Sequence, residues 1–319
     1  MPVSDLHVVL GATGGIGRAL VRELAAQGRR VRAVSRRLGT DLPPGVEAVA
    51  ADVSTADGSR AACAGAAVVH HCAQPAYHRW TQDFPALNEA ALIGAAAAGA
   101  KLVLADNLYA YAPPTGPLTE DTPQQPTSRK GAVRLRLADQ LLDAHRRGTL
   151  RVAIGRASDY YGPGTIASTA GDTVFGAVLA GKAVRWPGRV DVPHALHHLP
   201  DIARGLITLA DHGAADGRAW ILPAAPALTP REFVDRIGAA AGRPVRISAT
   251  PRAMMRLVGL FDRSAGELPD IWYQYDRPWT VDDGQFQRTF GPQPPTGWDE
   301  GIAATVDWYR GHHPASTRS

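Results

Sequence analysis

Lysine is nearly absent from this chain. Across 319 residues it occurs as Lys101, Lys130 and Lys182, and the remaining basic charge is arginine. The arginines are scattered, so the net charge of +4 makes no nucleic-acid footprint, which needs cations gathered on one face or helix. Cysteine is scarce too. Cys63 and Cys72 alone make neither a disulfide scaffold nor a zinc site, and they fit a reducing compartment. No apolar run approaches the ~20 residues of a membrane span. The N-terminus lacks the charged-then-apolar pattern of a secretory signal. A soluble, cytoplasmic protein is expected, without membrane or nucleic-acid partners.

What is present is a rhythm. Short apolar runs recur at 7–10, 30–35, 46–50, 66–71, 101–105 and 151–155, separated by helix-period stretches such as IGRALVRELAAQG. Continuous apolar strands alternating with helices predict an α/β fold whose parallel sheet is covered on both faces. Gly28, Gly99 and Gly148 fall where helices should end. After about residue 160 the alternation loosens, aromatics gather near 271–279, and the tail 313–319 is expected to be disordered.

Between the first strand and first helix stands Gly11-Ala12-Thr13-Gly14-Gly15-Ile16-Gly17. A tight turn, a close approach to pyrophosphate and a helix packed on a strand each call for a residue without a side chain. The helix N-terminus then offers free N–H groups and partial positive charge to phosphates. A dinucleotide site is expected here. The second strand ends Val34-Ser35-Arg36-Arg37, without the carboxylate that accepts from an NAD ribose. A hydroxyl and guanidinium groups suit a 2′-phosphate, hence NADP(H); the alternative is a solvated loop in an arginine-rich chain. Asp52 and Val53 close the third strand, beside the expected adenine position.

GATGGIG, Asp52-Val53, Ala73 after the fourth strand and Asn88 resemble the extended short-chain dehydrogenase/reductase family, the NAD-dependent epimerase/dehydratase group. Arg156–Gly164 is similar to its R-P-x-N-x-Y-G-P-G segment, and His198–Ala203 to its V-H-V-D-D-V-A segment. The resemblance spans nearly the whole chain. It implies a Rossmann-type, doubly wound parallel sheet with a smaller, discontinuous C-terminal lobe. The expected division is an NADP-binding domain over 1–160, completed by 195–225, and a substrate lobe over 161–194 and 226–312.

The resemblance also exposes a gap. Family chemistry rests on Ser/Thr, Tyr and Lys, the last two spaced Tyr-x-x-x-Lys on one helix. The residues four before the three lysines here are Ala97, Pro126 and Val178, so the motif is missing. Aligning on Pro126 puts Lys130 at the tyrosine position and Arg134 at the lysine; aligning on Asp139 puts Gly131 and Leu135 there. Counting back from Tyr111, Asn107 takes the Ser/Thr position, and Tyr109 falls where sugar dehydratases carry an acid. Asn107, Tyr109 and Tyr111 are expected to share one face of the extended strand end. Asn107, Tyr109 and Lys130 are the candidate catalytic residues, with Lys130 also a candidate ribose contact. A lysine within ~4–6 Å would lower the Tyr109 phenol from its ordinary value of ~10. The alternative for Lys130 is a solvated position at a helix start, with Thr127 or Ser128 as cap.

Tyr77, Trp80, Tyr111 and His194 are candidate substrate contacts. Of His70 and His71, one is expected in the core and the other toward the cofactor cleft. His194, His197 and His198 make no metal site by spacing. The functional expectation is an NADP(H)-dependent oxidoreductase acting on a carbonyl/alcohol pair of a small organic molecule, or an epimerase or dehydratase using the same cofactor. The missing motif leaves a second reading, a catalytically silent NADP(H)-binding regulator. The family's arginine that binds a sugar-nucleotide pyrophosphate lies seven residues before the position of Asp201; here it is His194, so a nucleotide-diphosphate sugar is not the expected substrate. A homodimer is left open by the sequence.

Overall fold

Each apolar run read from the sequence becomes a strand, and each amphipathic stretch a helix that covers the sheet. The computed structural model describes residues 5–37 and 41–312; the tail expected to be disordered lies outside them. The first part runs β1 (Leu6–Leu10), α1 (Gly15–Ala26), β2 (Arg30–Ser35), β3 (Glu47–Ala50), α2 (Ala56–Cys63), β4 (Val68–His71), α3 (Trp80–Ala97), β5 (Lys101–Asn107), α4 (Arg129–Arg146) and β6 (Val152–Ala157). There follow β7 (Asp159–Tyr161), α5 (Phe175–Leu179), β8 (Val184–Pro187), β9 (Leu196–His198), α6 (Leu199–Asp211) and β10 (Ala219–Ile221). The chain ends with α7 (Pro230–Ala241), β11 (Ile247–Thr250), α8 (Arg252–Val258), α9 (Gly284–Phe290) and α10 (Trp298–His312).

Seven strands form one sheet in the order β10-β6-β5-β4-β1-β2-β3, with every pair parallel. The order reverses between β1 and β4, and ligands of open α/β sheets bind at such a crevice, outside the carboxyl ends of the strands. One face of the sheet packs on α2, α3 and α4 through Val69, Phe84, Leu102, Leu137 and Leu141; the other packs on α1 and α6 through Val9, Leu20, Ile202 and Leu206. With both faces covered, every residue of β4 and β6 is buried. That double burial also overturns the expectation for the histidines at the end of β4. His70 and His71 are both fully buried, one against His7 and the other edge-on to Phe84, and neither faces the cleft.

Outside the main sheet, β8 pairs with β11 and β7 with β9, each pair parallel. A separate core of Tyr161, Phe175, Trp186, Phe233 and Tyr309 joins α5, α7 and α10 to them. The chain is steered into α7 by a reciprocal cap, in which Thr229 and Glu232 each satisfy the other's backbone N–H. Among the described residues no helix is long and apolar enough to cross a membrane.

Candidate active site

The glycine turn sits at the mouth of the crevice. The N–H groups of Gly11 and Ala12 donate to the Val34 carbonyl at 2.9 and 3.1 Å, tying the turn to the end of β2. Gly11 adopts φ +81°, and a Cβ there would stand 2.5 Å from the Cα of Ala73. At Gly17 a Cβ would meet the Gly11 carbonyl oxygen at 2.3 Å. Both neighbours are backbone, so neither can yield, and the two positions admit only glycine in this geometry. No side chain caps α1 at Gly14. Its first N–H groups are therefore left for an anion beside Thr13, Gly14, Gly15 and Ile16. These features fit a dinucleotide pyrophosphate.

At the end of β2, Ser35 is buried and its hydroxyl donates to the Arg37 carbonyl. That bond folds the loop back and leaves Arg36 and Arg37 exposed. Neither guanidinium is engaged in an ion pair among the described residues. At the end of the neighbouring β3, Asp52 accepts from the Ser54 N–H at 3.0 Å and its hydroxyl at 2.6 Å, and these bonds hold its carboxyl below the ordinary carboxylate range. Val53 is 6% exposed and belongs to the core, so it offers little surface to an adenine.

Where β5 ends, the Asn107 Oδ1 accepts from the Tyr109 N–H at 3.1 Å, a local turn that sets the tyrosine's direction. The Asn107 amide nitrogen has no partner among the described residues and is free to donate. The Tyr77 hydroxyl donates to that of Tyr109 over 3.4 Å, and Trp80 packs against both rings. The side chains of Tyr77, Trp80 and Tyr109 thus converge, and Asn107 holds the backbone of Tyr109 from the turn beside them.

Two expected members do not join in the expected way. Tyr111 is fully buried with the Arg156 guanidinium 4.7 Å from its ring centroid, so it lines the interior and does not face a substrate. Lys130 is not solvated, and its ammonium is engaged by other groups than the Tyr109 phenol. It is 2% exposed; its ammonium donates to the Tyr77 carbonyl at 2.5 Å, pairs with Glu267 at 3.2 Å and lies 4.0 Å over the Tyr77 ring. Burial lowers the Lys130 ammonium, and Glu267 opposes that shift. Burial, and then the charge of Asp159, pushes the Tyr109 phenol up rather than down. Ser128 is the residue that caps α4, accepting from the Gly131 N–H at 3.0 Å.

Three groupings were not legible in the sequence. Arg134, one candidate for the family's lysine position, donates to Asp106 at 2.6 Å, and Arg156 donates to the other oxygen of the same carboxylate at 3.0 Å. Arg134 is thereby built into the interior. Asp159 accepts from His194 at 2.9 Å and from the Tyr275 hydroxyl at 3.3 Å. Glu267 and Asp270 come from a short helical segment, 265–274, that reaches the start of α4. Sequence signals touched single members only: Asp159 stands where the family segment has Asn, and Arg134 and His194 stand at candidate positions of the family's lysine and arginine.

Solved structures similar to this chain share its architecture. The dTDP-glucose 4,6-dehydratase of Streptomyces venezuelae with NAD bound superposes with a TM-score of 0.75 at 21% identity, over 95% of this chain and 96% of the other. UDP-glucose 4-epimerase of Thermotoga maritima with UDP-glucose gives 0.80 at 17% identity, over 96% and 99%. MoeE5 in complex with UDP-glucose and NAD gives 0.74 at 25% identity, over 96% and 99%. In sequence, a dTDP-glucose 4,6-dehydratase of Streptomyces griseus is 26% identical over 197 residues, which are 62% of this chain and 54% of that relative. The model of the NAD dependent epimerase/dehydratase family matches residues 7–222, from the first strand through the glycine turn to the seventh strand of the sheet. With this match covering more than half of the chain, and the glycine turn and strand order in agreement, the chain belongs to the NAD-dependent epimerase/dehydratase family.

Proposed function

We propose that the chain is an NADP(H)-dependent oxidoreductase that interconverts a carbonyl and an alcohol on a small organic molecule, or epimerises or dehydrates it by the same redox step. The observation that carries the proposal is the alignment of two glycines closed to any side chain, an uncapped helix N-terminus and a cluster of polar side chains at the end of β5, all opening on one crevice. A bound nicotinamide dinucleotide would supply or take up a hydride there. Gly11 to Gly17 would hold its pyrophosphate, and Arg36 and Arg37 its 2′-phosphate, on a loop shaped by the Ser35 hydroxyl's bond to the Arg37 carbonyl. Asp52 would lie near the adenine, with Val53 behind it in the core and Ala73 against the turn.

The Asn107 amide and the Tyr109 phenol supply hydrogen bonds to the substrate oxygen. The phenol, pushed up by burial, stays protonated and donates. Lys130 fixes the ring and backbone of Tyr77, and through it the Tyr77–Tyr109 contact, so its role is positioning. Trp80 and Tyr77 close one wall.

The relatives named above are sugar-nucleotide enzymes, but this cleft is poorly equipped for a diphosphate. His194, at the position of the family's arginine, is engaged by Asp159, and a carboxylate repels phosphate. Nearby Arg189 is taken up by a two-pronged pair with Asp191 at 3.0 and 2.8 Å. A small, uncharged, partly aromatic substrate fits better. The missing Tyr-x-x-x-Lys motif supports the second reading, a regulator that binds the cofactor without chemistry. Turnover of NADPH with a panel of aldehydes and ketones separates the two: a regulator binds the dinucleotide and never changes its nicotinamide absorbance.

A further inference from the structure

Asp159 is a carboxylate that the family pattern does not supply, and it is built into the cleft with unusual care. It opens β7 directly after the carboxyl end of β6, one residue before Tyr160, whose ring lies 3.4 Å from where a Cβ on Gly15 would be. One of its oxygens, Oδ2, accepts from His194 Nε2 at 2.9 Å and Tyr275 hydroxyl at 3.3 Å. Those two partners are themselves fixed. The His194 ring stacks on Tyr275 at 5.5 Å with planes 6° apart and meets Trp186 edge-on, and Tyr275 shares a hydrogen bond with Thr169 at 3.1 Å. The other oxygen, Oδ1, has no hydrogen-bond partner among the described residues, and the side chain keeps 13% of its surface exposed.

The groups facing Asp159 are His194 and His197 from the segment entering and forming β9, Tyr77 from the loop before α3, Tyr109 from the end of β5, Tyr160 on its own strand and Tyr275. Among the described residues no lysine or arginine pairs with it. A solvent-reachable carboxylate oxygen, oriented by an imidazole and surrounded by neutral phenols, has the layout of a general acid–base. The phenols cannot fill that role in the oxidising direction, because Tyr109 and Tyr275 are both pushed well up by burial and stay protonated.

Resting on the oxidoreductase reading above, we infer that Asp159, oriented by His194 and Tyr275, exchanges the proton of the substrate oxygen, in place of the phenol of the missing motif. In oxidation of an alcohol, the C–H bond gives its hydride to the nicotinamide dinucleotide and the O–H proton passes to Asp159 Oδ1, leaving a carbonyl. In reduction the protonated carboxyl returns that proton to the oxygen as the hydride reaches carbon. His194 is a positioning residue, holding Oδ2 so that Oδ1 faces the cleft.

The test uses the full chain, benzaldehyde and aryl ketones as probes, and NADPH. Asp159→Asn keeps the shape and a hydrogen-bonding oxygen but cannot carry the proton. It is expected to lower turnover by roughly 10²–10⁴-fold, to flatten the pH–rate profile and to leave NADPH affinity unchanged. His194→Gln, which can still donate to Oδ2, is expected to retain more activity than Asp159→Asn and to keep the pH-dependent limb. In the cofactor-free protein, imidazole nitrogen shifts by NMR should report His194 hydrogen-bonded through Nε2, a signature lost in Asp159→Ala. Wild-type turnover and pH profile in Asp159→Asn, or a His194 signature indifferent to Asp159→Ala, overturns the inference and leaves the oxidoreductase reading standing. A wild-type protein that binds NADPH and reduces none of the probes overturns both.

Discussion

Replacing Asp106 with asparagine removes the carboxylate from between two buried guanidiniums. Asp106 and Arg156 have no exposed side-chain surface and Arg134 only 5%, so the charges gain nothing from water. Arg156 also hydrogen-bonds Gln124 at 2.9 Å, and Arg134 the Ala105 carbonyl at 3.2 Å, but neither contact neutralises charge. Breaking a buried pair by removing one partner costs roughly 3–5 kcal/mol, because the survivor is left uncompensated. Here two survivors remain, so Asp106→Asn belongs at the upper end. Against a total stability of about 5–15 kcal/mol, that is a large fraction. Arg134→Met is milder: Asp106 keeps Arg156, and the new side chain packs on Trp80 and Phe84, against which the guanidinium now lies at 5.2 and 4.8 Å. Urea unfolding followed by fluorescence measures both, and NADPH titration below the transition shows whether the folded variants still bind. Asp106→Asn within about 1 kcal/mol of wild type would refute a desolvated triad. Loss of NADPH binding in folded Arg134→Met would show that this arginine serves the cofactor and not the interior.

Acid should weaken the fold by a separate route. Burial holds His71 at about 3 and His197 and His198 at about 4, against 6.5 for an exposed imidazole. The unfolded chain takes up protons at these sites below about pH 6.5 while the folded chain does not, so their contribution is complete above that pH and is lost as pH falls toward 4. Each site contributes a slope of about 1.4 kcal/mol per pH unit inside that window. A urea midpoint that stays flat between about pH 5 and 7 contradicts it. Tyr109→Phe should lower turnover by roughly 10²-fold or more with NADPH binding intact, since only a donor to the substrate is lost; unchanged single-turnover rates would remove Tyr109 from the site. Calorimetry with UDP-glucose or dTDP-glucose should show no micromolar binding, and a clear isotherm would restore a sugar-nucleotide substrate.

The sheet was legible because its signals are local. Six strands announced themselves as apolar runs between helix-period segments, and Gly28, Gly99 and Gly148 do lie just past α1, α3 and α4. The cofactor turn was legible for the same reason, its glycines being adjacent in sequence. The three-residue β10 escaped as an individual strand because its length carries no period. The substrate side was hidden because its partners are far apart along the chain. Lys130 meets Tyr77 across 53 residues, Arg156 meets Asp106 across 50, and Tyr275 meets Asp159 across 116. No spacing rule links such pairs. Tyr111 misled for a related reason: strand alternation placed it beside Tyr109, but the Asn107 turn ends the alternation before it reaches that ring.

The central claim is that the crevice holds a nicotinamide dinucleotide and prefers the 2′-phosphorylated form. Titration of the wild-type protein and Arg36→Ala with NADPH and NADH, read by nicotinamide fluorescence, tests it most directly. Charge-assisted hydrogen bonds of about 1.5–3 kcal/mol predict tighter NADPH binding by on the order of ten- to a hundredfold, narrowed in Arg36→Ala, with NADH affinity unaffected by the substitution. Equal affinities for the two dinucleotides, or an Arg36→Ala variant that discriminates as well as wild type, would contradict it.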